Sequence, residues 1–82
     1  MSCKVYVDVM AQFRAGDGMV LPRSITWEDG IKYTVDRVLD VRPAASLKGG
    51  GAGLRYTVRI LGKSTYIWRE EDRWFVERKA DE

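Results

Sequence analysis

From Val5 to Phe13 every second residue is apolar (Val5, Val7, Val9, Ala11, Phe13), and Lys4, Tyr6, Asp8, Met10, Gln12 and Arg14 fill the positions between. Period two held over this length describes an extended strand with one buried face, because on a helix the same residues would wind around the whole circumference. Everything downstream repeats the theme in shorter pieces. Ala15 to Gly18 is a turn, with two glycines and Asp17. A second strand runs from near Met19 to Trp27, where Pro22 requires an edge or a bulge.

The next turn carries its own register. If only Asp29 and Gly30 formed the loop, Trp27 would face Lys32 and Ile25 would face Thr34, mixing core with surface. A three-residue loop of Glu28, Asp29 and Gly30 pairs Trp27 with Ile31 and Ile25 with Tyr33 instead, and glycine accepts the left-handed position that this loop needs. The third strand continues through Val38, Leu39 and Val41, with a parity shift that predicts a bulge near Asp36 and Arg37. After Pro43 the segment 43–53 reads as a glycine-rich loop. Strands follow at Leu54 to Leu61, Thr65 to Arg69 and Arg73 to Arg78, and 79–82 reads as a frayed tail. About six short antiparallel strands joined by tight turns predict one all-β domain over residues 1–82, a small barrel or sandwich of SH3-like type.

A chain of 82 residues buries only about 60 to 65% of the surface its unfolded form exposes, which argues against a second domain or a roomy internal pocket. There is one cysteine, Cys3, and no histidine, so neither an internal disulfide nor a Cys/His metal site is expected. The alternating N-terminus is not a signal peptide, and no run approaches the roughly 20 apolar residues of a membrane span. These features point to a cytoplasmic protein without metal, cofactor or membrane partner.

Catalytic signals are weak. Gly62, Lys63 and Ser64 match the end of a phosphate-binding P-loop, but Thr57 occupies the position of its first glycine and a strand follows where a helix is needed. Glu70, Glu71 and Asp72 cluster in a turn, where solvated charge explains them. No serine or threonine has a base to activate it, so the expectation is a binding module and not an enzyme.

Charge is unevenly spread. Between Val41 and Arg69 stand six basic residues and no acidic one, whereas the other residues hold eight basic and twelve acidic side chains. The glycine-rich loop can bring backbone amides close to a phosphate. Arg42, Lys48, Gly49, Gly50, Gly51, Arg55, Arg59 and Lys63 are therefore the candidate nucleic-acid contacts, with an acidic protein surface as the other partner this charge suits. The last but one hairpin has two readings. A two-residue Gly62–Lys63 loop sets Arg59 opposite Tyr66 and Thr57 opposite Trp68, so that arginines and aromatics share an exposed face, as single-strand binders require. A three-residue loop pairs Ile60 with Tyr66 and Val58 with Trp68 and sends both rings to the core. The second is preferred because it also lets Trp68 meet Trp74 and Tyr66 meet Val76.

The stretch from Trp27 to Val38, together with Arg55 to Val58 and the ending Trp74, Phe75, Val76, Glu77 and Arg78, resembles a loose group of short uncharacterised bacterial domains. Some of these accompany translesion DNA polymerase components, which implies an accessory role in DNA repair. The resemblance supplies no catalytic residues. The alternative function is a protein-interaction or self-association domain that uses the strand edge near Met19 to Arg23, or apolar surface such as Met10, Met19 and Leu54.

Overall fold

The computed structural model describes residues 2–43 and 53–79. Seven strands form one antiparallel sheet: β1 (Ser2–Phe13), β2 (Val20–Thr26), β3 (Lys32–Thr34), β4 (Arg37–Pro43), β5 (Leu54–Ile60), β6 (Lys63–Glu70) and β7 (Arg73–Lys79). Their spatial order is β3-β2-β1-β7-β6-β5-β4, and the described residues contain no helix. The all-β expectation holds, with seven strands in place of six.

The extra strand comes from the parity shift in the third run. The chain does not simply bulge there; it changes partner. The Val35 N–H donates to the Arg23 carbonyl of β2 at 2.9 Å, and the next N–H, of Asp36, donates to the Arg59 carbonyl of β5 at 2.8 Å. The two outermost strands, β3 and β4, are thus consecutive in the chain and separated by two residues. The sheet is rolled into a half-barrel whose ends meet at that link.

The concave side of the roll holds the core: Val7, Ile25, Val35, Tyr56, Val58, Ile67 and Trp74, flanked by Val5, Val9, Val41, Leu54, Ile60 and Val76. The first strand alternates as its sequence demands, with Val7 buried between exposed Tyr6 and Asp8. Burial ends before the strand does, and Phe13 is 71% exposed. Pro22 sits at the expected irregularity: Met10 faces Ser24 while Ala11 faces Pro22, leaving Arg23 as the extra residue of a bulge. At the second turn Ile25 faces Tyr33, Trp27 N–H donates to the Ile31 carbonyl at 2.9 Å, and Gly30 takes a φ of 86°. The three-residue register is the one adopted.

The β5–β6 hairpin follows neither expected register. Its loop is Leu61 and Gly62, both with positive φ, at 53° and 77°, the two-residue primed turn that matches strand twist. Ile60 consequently faces Lys63, Thr57 faces Tyr66 and Arg55 faces Trp68. The preferred arrangement, with Tyr66 and Trp68 in the core, is overturned. The observed parity seats Ile67, which is 0% exposed, beside Tyr56 and Val58 on the concave side. Its two neighbours must then point the other way.

Candidate nucleic-acid interface

On the convex face the registers align one transverse row across five strands. Arg42 of β4 faces Arg55 of β5, Arg55 faces Trp68 of β6, Trp68 faces Phe75 of β7, and Phe75 faces Tyr6 of β1. Side chains directly opposite on one face are packing neighbours, and here they form a continuous aromatic strip. The rings of Trp68 and Phe75 stack at 5.8 Å with 6° between planes; Tyr6 meets Phe75 edge-on at 5.7 Å, and Tyr66 meets Trp68 edge-on at 5.9 Å. Phe75 lies on this face and yet is only 1% exposed. The convex side therefore has a small core of its own.

Cations cover that strip. The Lys4 ammonium lies 4.5 Å from the centre of the Phe75 ring and 3.3 Å from Glu70 Oε1; the guanidinium of Arg73 is 3.7 Å from the Tyr6 ring centre and that of Arg55 is 4.5 Å from that of Tyr66. Such contacts contribute about 0.5 to 1 kcal/mol each where exposed. Tyr6 and Tyr66 nonetheless stay 42% and 47% exposed. Arg55 is held at a cost: its Nε is shut off from solvent with no hydrogen-bond partner among the described residues, a penalty of about 1 to 3 kcal/mol for a buried donor. Fold stability alone does not explain an arginine there.

The structure scatters the sequence candidates. Arg42, Arg55 and Arg59 share the convex face through the pairs Arg42–Arg55 and Arg37–Arg59, which also brings in Arg37. Arg42 is bridged to Asp40 at 2.6 Å. Lys63 does not join them; it opens β6 opposite Ile60, at the rim of an apolar opening lined by Trp27, Tyr33, Ile60 and Val76. Arg69 turns to the concave side, 5.8 Å from the Trp74 ring centre and beside the Tyr56 hydroxyl. Lys48, Gly49, Gly50 and Gly51 lie outside the described residues. Trp68 does not meet Trp74; Trp74 packs on Tyr56 at 5.1 Å, on the other face.

Sequence reasoning missed Lys4, Tyr6, Arg73 and Phe75. A signal for them existed. Tyr66-Ile67-Trp68 and Trp74-Phe75-Val76 are runs of three apolar residues within strands, and alternation forces each run to place apolar side chains on both faces. Two adjacent strands with that pattern announce a sheet buried in part on its second side.

Tyr56 is fixed from both ends of its side chain. Its hydroxyl donates to the Val20 carbonyl of β2 at 2.6 Å, and burial raises its pKa above the usual tyrosine value, with nearby Arg69 pulling the other way. Among the described residues no cluster of carboxylates or cysteine could hold a metal ion, and no helix is long and apolar enough to cross a membrane. No protein-family model, curated protein or solved structure matches the chain.

Proposed function

We propose that the domain is a binding module for single-stranded nucleic acid, and that the convex face is its contact surface. The observation that carries the reading is the transverse row of Arg42, Arg55, Trp68, Phe75 and Tyr6 with Tyr66 at its side. Stacking platforms and phosphate-neutralising cations are the two components that sequence-tolerant single-strand recognition needs. Here Tyr6 and Tyr66 are the exposed rings, packed against the buried Phe75 and the half-buried Trp68 that lie between them. Arg42, Arg55 and Arg59 track the phosphates along the β4–β5 side. A duplex hides its base faces, so it would use only the charges. Asp8 on β1, Glu70 at the end of β6 and Glu77 on β7 bring acidic side chains to the far end of the face, which favours a narrow strand path over a broad duplex footprint. The resemblance to domains that accompany translesion polymerases fits this reading as a non-catalytic accessory in DNA repair.

The test is an NMR titration of the labelled protein with short single-stranded and duplex DNA at low and moderate salt. Shifts on Tyr6, Arg55, Tyr66 and Trp68 that favour the single strand and fade with salt support the proposal. Absence of shifts at low salt overturns it.

A further inference from the structure

The half-barrel is closed at one point and open along one seam. At the closed point Val35 is bonded to β2 and Asp36 to β5. Beyond it the sheet has two free borders that face each other. Among the described residues β4 is the last strand of the sheet and pairs only with β5; on β2, the ladder to β3 covers Ser24 to Thr26 with Arg23 added by Val35, so of the described strands Val20, Leu21 and Pro22 have only β1 beside them. Between these borders runs a groove of about 410 Å³ lined by Met19, Leu21, Arg23, Arg37, Leu39 and Val41 among others. Next to its lining residue Leu21, the Val20 carbonyl accepts a hydrogen bond from the Tyr56 hydroxyl. A side chain from the core supplies a bond that a neighbouring strand would ordinarily supply.

We propose that this seam receives an extended acidic peptide segment of a partner protein, which adds a strand between β2 and β4. Among the described residues no strand pairs with the outer side of β4, or with Leu21 and Pro22 of β2 on the side away from β1, and a polypeptide carries backbone donors and acceptors on both of its sides. Apolar side chains alternating along such a segment fit against Leu21, Leu39 and Val41. The charge preference comes from the arginines. Of the charged lining residues, Arg14 is already bonded to Asp17 and Asp40 to Arg42. Arg23 and Arg37 are exposed and have no carboxylate within ion-pair distance among the described residues, and they outnumber the remaining Asp36. Pro22, which lacks an N–H, and the bulge between Val38 and Asp40 are devices that protect strand edges from indiscriminate pairing. They restrict the occupant to a short segment. This inference does not rest on the nucleic-acid reading: it uses none of the aromatic row, and of the convex-face cations it shares only Arg37, which also lines the groove.

The experiment is an NMR titration with a short end-blocked peptide of alternating glutamate and valine, run beside its lysine–valine counterpart. Binding of the glutamate peptide, with amide shifts and slowed hydrogen exchange confined to Val20–Leu21 and Arg37–Val41, is the expected result. The double variant Arg23→Glu/Arg37→Glu, both surface positions, should keep its far-ultraviolet circular dichroism and reverse the preference, with about fivefold lost for each exposed charge pair removed. Failure of the glutamate peptide to bind, equal response to both peptides, or shifts that map to the convex face would each overturn the proposal. So would a concentration-dependent dimer that forms through this seam and is unchanged in the double variant.

Discussion

The two faces of this sheet bury aromatic side chains for different ends. On the concave side Tyr56 and Trp74 are wrapped by valines and isoleucines from the rolled sheet itself, and Arg69 sits at the margin. On the convex side the described residues form no second layer, yet Phe75 is as thoroughly covered as Tyr56 on the concave side. Its cover is Lys4, Tyr6 and Trp68, all from its own sheet. A face that shields one ring with others and with the stems of cations keeps its outermost rings available. Stability and exposure are thereby divided among neighbours in one row.

The sharpest break of that comparison is Phe75→Ala. If the convex face has a core, this substitution should destabilise the fold by about 3 to 5 kcal/mol, as large as a concave aromatic deletion, read by urea denaturation. A loss under 1 kcal/mol would show the row to be surface decoration. Tyr6→Ala and Tyr66→Ala should behave oppositely, with small changes in stability but about 1 to 3 kcal/mol less single-strand affinity each, measured by fluorescence anisotropy. Tyr56→Phe removes the hydroxyl that bonds the Val20 carbonyl and should cost about 1 to 2 kcal/mol, with faster hydrogen exchange in β2.

The same tyrosine sets an alkaline limit. Its folded pKa is raised, so its contribution is fully present below the unfolded value of 10.0 and declines as pH rises through the folded value. Circular dichroism above pH 10 should show loss of structure in the native protein that the phenylalanine variant does not share through this group. The smallest effect lies far from both faces, at the β1–β2 turn. There Arg14 and the Met19 N–H hold the Asp17 carboxylate down to a pKa of about 2, and a carbon-detected titration should find its midpoint there. As it is fully exposed, it should leave stability almost untouched.

Much of this was legible in the chain. Period two in the first strand, the Glu28–Gly30 loop and the irregularity at Pro22 each rest on local chemistry that tertiary contacts do not override. The parity shift near Asp36 was visible, but local sequence cannot distinguish a bulge from a change of partner, since that depends on where β5 lies. The β5–β6 register escaped for a related reason. Leu61 is a poor residue for a left-handed position, so a loop starting at Gly62 looks better until burial of Ile67 decides the parity. Sequence proximity also misled the charge reading: Arg55, Lys63 and Arg69 are neighbours in the chain, but they finish on the convex face, at the rim and on the concave face. Cations from β1 and β7, more than fifty positions away from one another, took their place.

The sheet order has a last consequence, for synthesis. β1 and β7 lie side by side in the interior of the sheet, paired from Ser2–Lys79 to Val7–Trp74. A nascent chain can therefore form the β1–β2 and β5–β6 hairpins early, but the strand that joins them is the last of the seven to be synthesised. Until then Val5 and Val7, which face β7, lack their partner strand, and the two hairpins stay unjoined. Such long-range closure is slow in sheets of this kind, and a pause before Lys79 would prolong the period in which the inner edges of both hairpins are exposed.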